Sequence, residues 1–297
     1  MKTIAIIGPT ASGKSDLALK LALEHNAYIL SIDSLSIYKE IDIASAKPSA
    51  DELALVRHFG INVLAPNEHF SVSTFIDCYH DARQSALQEN KNLIIVGGTG
   101  FYLKSLLSGL SPLPAISDAT KLKAASFMND LPSAYSMLQI EDPEHMQSIA
   151  PTDVYRIEKM LLLYLESGMT PSAWFNAHPP EPIITDLPLF EIDVERSVLR
   201  GRIKTRTHKM VELGLIDEVA GLELHYGRSP NSMKAIGIIE VLEYLDGLST
   251  KDEMIEKVIT HTAQLAKRQQ TFNRHQFNDK RVCPIPKIYE EAGLLLQ

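Results

Sequence analysis

Thr3-Ile-Ala-Ile-Ile7 followed by Gly8-Pro9-Thr10-Ala11-Ser12-Gly13-Lys14-Ser15 decides the fold of this 297-residue chain. The first five residues read as a strand buried on both faces, and Leu17, Leu19, Leu21 and Leu23 belong to a helix running to His25. Between them lies the spacing G-x-x-x-x-G-K-S, in the strand-loop-helix context its mechanism requires. The glycines let the backbone curl until several N–H groups and the helix N-terminus face one anion. Lys14 adds a point charge and the Ser15 hydroxyl a ligand for Mg2+, so the loop predicts a grip on a Mg2+-bound diphosphate group.

Further along, an apolar run from Tyr28 to Ile32 ends at Asp33-Ser34. Another, Leu93 to Val96, ends at Gly97-Gly98-Thr99 before a helical stretch from Phe101 to Leu107. Strands alternating with helices predict an α/β fold, a P-loop NTPase-like core whose central parallel sheet is flanked by helices. In such a sheet the strand carboxyl ends open onto the ligand crevice, which places Asp33 and Thr99 beside the bound phosphate. Two readings of Asp33 stand at this point: a reactive carboxylate, or a turn cap or outer partner of the metal. A hydrolytic NTPase usually ends a strand in an acid that serves metal and water, whereas here the third run ends in Gly-Gly-Thr. No Asn-Lys-x-Asp element for guanine is present either.

Composition narrows the classes. With 45% hydrophobic and 22% charged residues the chain is globular, and no apolar run approaches the length of a membrane span or a signal core. A cytoplasmic protein without membrane attachment is expected. Cys78 and Cys283 are far apart with no clustered histidines, which excludes a zinc site and favours two reduced structural thiols. The net charge of −8 excludes a chain coated in cations for nucleic acid, so any polyanion must meet a local patch. Two patches qualify: Arg196 to Lys209, with Arg200, Arg202, Lys204 and Arg206, and Thr260 to Asn278, with Lys267, Arg268 and Arg274, neither containing an acid.

Pro112 and Pro114 mark one connection, and Pro171, Pro179, Pro180, Pro182 and Pro188 another. Between them, Asp118 to Ser167 carries apolar residues at helical spacing. The expected division is a core of 1–112 and 196–297 with an inserted all-helical domain at 113–195. Helices are predicted from Val198 to Leu213, closed by Gly214, around Ile238 to Leu245, and from about Thr250 to Arg274. Trp174 and Phe175 read as packing at a connection rather than a base-stacking platform.

The stretch from Asp33 through Ser34, Leu35, Ser36 and Tyr38 to Lys47-Pro48 resembles a signature of the tRNA dimethylallyltransferases. So do Gly8 to Ser15, Val96-Gly-Gly-Thr-Gly-Phe-Tyr-Leu-Lys104, Arg202-Ile-x-x-Arg206 through Met210, Gly214-Leu-Ile-Asp-Glu-Val219, Ala235-Ile-Gly-x-x-Glu240 and Ala266-Lys-Arg-Gln-x-Thr271. The blocks follow family order over most of the chain. It departs at Ser36, Ala44, Ile238 and Phe272, where the family often has Gln, Gly, Tyr and Trp.

The resemblance implies transfer of a dimethylallyl group from its diphosphate to N6 of adenine 37 in tRNAs reading codons that begin with U, with release of diphosphate. The implied partners are the tRNA anticodon loop, dimethylallyl diphosphate and Mg2+ at Ser15, with ATP as a further occupant of the loop and no obligatory protein partner; a monomer is the default. Asp33 is then the base that takes the amine proton, and Thr99 the hydrogen-bond donor to the bridging oxygen. The loop residues from Gly8 to Ser15 would hold diphosphate with Arg206 and Arg268, while Asp33, Ser34, Leu35, Ser36, Thr99, Tyr155, Arg156 and Lys159 would meet tRNA. Arg202, Arg206 and Lys209 share a helical face suited to diphosphate, RNA phosphate or plain solvation. A prenyltransferase of free adenine nucleotides and a small-nucleotide kinase, which share the loop, are the alternatives.

Overall fold

The computed structural model describes residues 1–297. They form two compact units, one of residues 1–106 with 184–297 and one of residues 107–183. The first half of the larger unit runs β1 (Thr3–Ile7), α1 (Lys14–Glu24), β2 (Ala27–Ser31), α2 (Ala50–Leu55), β3 (His58–Phe59), α3 (Val72–Gln88), β4 (Asn92–Gly97) and α4 (Gly100–Ser108). The smaller unit holds α5 (Asp118–Met128), α6 (Leu131–Glu141), α7 (Pro143–Met146), α8 (Val154–Ser167) and α9 (Pro171–Ala177). The chain then returns through β5 (Leu189–Ile192), α10 (Arg196–Glu212), α11 (Leu215–Tyr226), α12 (Ile238–Leu245), α13 (Lys251–Gln276), β6 (Arg281–Cys283) and α14 (Ile285–Leu296).

All six strands join one sheet in the order β3-β2-β4-β1-β5-β6, and every pairing is parallel. Parallel strands need a covered face on each side, which is why β1 and β4 are almost wholly apolar and buried. Leu17, Leu21 and Ala22 of α1 and Ile288, Ala292 and Leu296 of α14 pack with Ile4, Ile6 and Phe190 in one cluster. Because β4 is inserted between β1 and β2, the ends of these three strands, Gly8, Asp33 and Gly98, emerge side by side. The smaller unit has its own core, built on Tyr135, Leu138, Met146, Ile157 and Leu161.

Two expectations change. The core resumes at residue 184 rather than 196, because Leu189–Ile192 is a strand registered against Ala5 to Ile7. Part of the second proline-rich connection is helical: Pro171 opens α9, where its missing N–H costs nothing, and the Thr170 side chain caps the Ala173 N–H. Trp174 donates from Nε1 to the Pro112 carbonyl at 2.9 Å and stacks on His178, which agrees with packing at a connection.

Candidate active site

Ala11 and Gly13 take positive φ (62° and 94°), which curls the loop ahead of α1. A side chain at Gly13 would suffer both that strain and a 3.1 Å approach to Ile285. The loop is braced from three directions. Thr10 donates its N–H to Gln269 Oε1 of α13 at 2.8 Å. From α10, Arg202 donates to the Ser12 carbonyl at 2.9 Å and Arg206 to Thr10 Oγ1 at 3.2 Å. Lys14 Nζ lies 3.3 Å from the Pro9 carbonyl.

Three cavities surround the loop. One of about 840 Å3 is lined by Gly13, Lys14, Ser15, Arg202, Arg206 and Tyr289, and one of about 170 Å3 by Lys14, Ser15, Ser31, Asp33 and Arg206. The third, about 290 Å3, is bounded by Thr10, Asp33, Thr99, Arg206, Ala235 and Gln269. At roughly 30 Å3 per water the third has the room of about ten heavy atoms. Arg206 therefore borders all three, and Asp33 the inner two.

The turn-cap reading of Asp33 accounts for one of its two carboxylate oxygens. Oδ1 caps a turn, accepting the N–H groups of Leu35 (2.9 Å) and Ser36 (3.2 Å). Oδ2 has no hydrogen-bond partner within the protein and borders the cavity. Thr99 follows β4, is anchored through its N–H to the Ile32 carbonyl at 3.2 Å, and leaves its hydroxyl unpaired on the cavity it shares with Asp33. Gly98 and Gly100 permit the approach of α13 here: a Cβ on Gly98 would collide with Gln269, and one on Gly100 would lie 2.6 Å from Asn273 Oδ1.

Charge in the site is tightly coupled. Burial pulls the Lys14 ammonium from its ordinary 10.5 down to about 8, with the Asp33 carboxylate opposing and Arg206 adding to the fall. Burial also lowers Arg206, again against Asp33. A cluster of two cations and one carboxylate with its surroundings desolvated is a site prepared for more negative charge.

The structure separates the expected residues. Thr10, Ala11, Gly13, Lys14 and Ser15 line the cavities, whereas Gly8, Pro9 and Ser12 are buried beneath them. Ser34 and Leu35 border the third cavity with Asp33. Ser36, expected to touch RNA, is buried, its Oγ 3.1 Å from Ser31 Oγ, and supports the Asp33 turn instead. Arg268 is exposed on α13 and lines none of the three cavities; one residue on, Gln269 makes the contact with the loop. Lys209 is likewise exposed, beyond the turn that brings Arg202 and Arg206 inward. In the smaller unit Tyr155, Arg156 and Lys159 share the exposed side of α8, with Lys159 Nζ 5.6 Å from the Tyr155 ring and Arg156 paired to Asp153.

Two supports escaped the sequence reading. Lys47, almost fully buried, donates to the Tyr38 carbonyl, Asp42 and Asn62 at 2.6 to 2.7 Å. Glu218 of α11 accepts the N–H groups of Asp42, Ile43 and Ala44 at 2.7 to 2.9 Å, pinning the segment that follows Asp33. Its place in the block Gly214 to Val219 and in the first turn of α11 was the only hint. Glu218→Ala should cost about 1–2 kcal/mol, a few degrees in thermal melting, since charged hydrogen bonds are worth about 1.5–3 kcal/mol before solvent exposure reduces them. An unchanged melting temperature would show that the clamp carries no weight.

The IPP transferase family model matches residues 36–276. A tRNA dimethylallyltransferase from Sulfurimonas denitrificans is 56% identical over 288 residues, 97% of each chain, and one from Sulfurovum sp. is 52% identical over 280 residues, 94% of this chain and 93% of that one. Among solved structures, the full-length tRNA isopentenylpyrophosphate transferase of Bacillus halodurans aligns with TM-score 0.72 and 29% identity, covering 99% of this chain and 96% of that chain. A eukaryotic dimethylallyltransferase crystallised acting on tRNA aligns with TM-score 0.85 and 25% identity, covering 96% of this chain and 74% of that chain.

Proposed function

Because the chain belongs to the IPP transferase family, we propose that it moves a dimethylallyl group from dimethylallyl diphosphate to N6 of adenine 37 in tRNAs that read codons beginning with U. The products are N6-(dimethylallyl)adenosine and free diphosphate. The observation that carries this reading is the free Oδ2 of Asp33 and the free hydroxyl of Thr99 facing one cavity at the ends of neighbouring strands, beside the phosphate loop.

The exocyclic amine of adenine is a poor nucleophile because its lone pair is delocalised into the ring. Asp33 Oδ2 accepts the N6 proton as the N6–C1 bond forms and the C1–O bond breaks, its electron pair leaving on the bridging oxygen. Thr99 donates a hydrogen bond to that oxygen. Lys14, Arg206 and the loop N–H groups stabilise the charge gathering on the departing diphosphate. No water is activated, consistent with the glycines at the end of β4.

The donor set suits Mg2+. No cluster of three acidic, histidine or cysteine side chains is present, and the Ser15 hydroxyl stands exposed at the loop, as fits a hard cation bound mainly by water and substrate oxygens. Bound there, Mg2+ supplies charge neutralisation on the diphosphate. Tyr155, Arg156 and Lys159 on α8 of the smaller unit present a ring and two cations suited to RNA. No helix is long and apolar enough to cross a membrane. We further read the protein as a cytoplasmic monomer whose loop also admits ATP.

The test is incubation with Mg2+ and labelled dimethylallyl diphosphate, offering undermodified tRNA beside AMP, ADP and ATP. Label should enter tRNA alone and without ATP. Label on free AMP but not on tRNA would overturn the reading in favour of a nucleotide prenyltransferase, and phosphorylation of a nucleotide in favour of a kinase.

A further inference from the structure

The basic run Arg196 to Lys209 is divided by its helix into two faces with different uses. Arg202 and Arg206 reach the phosphate loop. Arg196, Arg200 and Lys204, at i, i+4 and i+8, form a separate row, since two residues along a helix is a turn of about 200°. That row borders a groove of about 720 Å3 between α10 and α13, whose other wall carries Lys267. The floor is apolar: Leu199 and Ile203 pack against Ala266, with Ile259 and Ala263 half-buried beside them. Arginine and lysine stems can lie along such a floor while their heads stay in water.

These four cations stand exposed without an ion pair or hydrogen bond to any protein group. Some surface cations elsewhere are paired: Arg228 with Glu223 and Asp246, Lys257 with Glu243, Arg281 with Glu291. Even Glu256, the one carboxylate on the groove wall, forms no pair with them. Like charges at i, i+4 repel along a helix, so the row opposes the stability of α10 unless something anionic offsets it. In a chain of net charge −8, a polyanion gains its attraction from local strips of unpaired cations such as this one.

We propose that the α10–α13 groove binds the sugar-phosphate backbone of the substrate tRNA, a second RNA contact outside the catalytic cavity. The inference rests on the tRNA-modifying reading above. One helix, with a diameter of about 10 Å, carries both Arg206 at the reaction cavity and the groove on its other side. Phosphates a few nucleotides from the modified base are therefore within its reach. Contacts to phosphate carry no sequence information, so the groove should strengthen binding of any tRNA and leave the choice of base to the cavity.

The test is a variant with Arg196→Ala, Arg200→Ala, Lys204→Ala and Lys267→Ala, all exposed positions. Affinity for undermodified tRNA would be measured between about 50 and 200 mM salt, beside steady-state transfer. Each lost phosphate contact should reduce the slope of log affinity against log salt by about 0.7 to 0.9, so three or four contacts remove about two to three and a half from it. Affinity should fall at least about tenfold near 100 mM salt, equally for cognate and non-cognate tRNA, with kcat and the KM for dimethylallyl diphosphate little changed. Wild-type tRNA affinity and salt slope in the variant would overturn the proposal, as would a matching rise in the KM for dimethylallyl diphosphate, which indicates a structural role. Failure of the unaltered protein to modify tRNA would instead sink the functional reading, and the binding measurements would still decide the groove.

Discussion

Asp33→Asn should lower turnover by about 10²–10⁴-fold, the usual contribution of a positioned base, with tRNA affinity nearly unchanged. The substitution separates the turn cap from the proposed role as base. Asparagine keeps an oxygen where Oδ1 accepts the N–H groups of Leu35 and Ser36, so the turn survives. Asn and Asp are close to equivalent as caps, and a residue serving only that purpose would tolerate the change. In place of Oδ2, however, stands an amide that cannot take a proton. Single-turnover transfer to undermodified tRNA, measured beside filter binding, checks this. Full turnover in the variant, or an equal loss of binding, would remove Asp33 from the role of base.

Lys14→Met should cost about 10²–10³-fold in kcat/KM for dimethylallyl diphosphate, comparable to losing one donor to a developing oxyanion. The pH dependence gives a sharper signature. With the free ammonium titrating near 8, a ligand that needs the charged form must restore the proton as it binds. Diphosphate affinity should then be flat below pH 8 and fall by about tenfold per pH unit above it, until the ligand-bound form itself deprotonates. The methionine variant should be weaker everywhere and lack this bend. The sign for folding is opposite to that of an ordinary paired lysine. The depressed value means that the unfolded chain holds the proton more tightly, so ligand-free protein should gain stability between pH 8 and 10.5. Isothermal titration with diphosphate from pH 7 to 10 reads the first effect, and a bend shared by wild type and variant would assign it to another group.

The parts of this fold that could be read from sequence were those whose signal is local. Gly8 to Ser15 carries its own strand, turn chemistry and helix start, and Asp33 and Thr99 follow from where two apolar runs stop. The missing strands failed for identifiable reasons. β3 and β6 have two and three residues, too few to show a period. β5 hides because Glu191 interrupts its apolar run; the acid is tolerated in the sheet since Asn273 donates to it at 3.0 Å and Lys280 lies 3.6 Å away. That missed strand is also what misplaced the return from the inserted segment. The contacts of Gln269 and Glu218 were hidden in a different way, although both residues stand in the quoted blocks. Their partners lie 259 and at least 174 residues distant in sequence, and a single chain carries no trace of such pairings. The same holds for the two faces of α10, which as a sequence form one basic run and only as a helix divide between the loop and the groove.

The hydrogen bond from the Ile184 N–H to the Leu106 carbonyl, 3.0 Å, closes the larger unit at the point where residues 107–183 leave and re-enter it. A graft whose two ends are neighbours imposes almost no span on its host, so this segment can be lengthened, shortened or exchanged over evolutionary time without moving a strand of the sheet. The phosphate loop and the inserted segment are thereby free to diverge at separate rates.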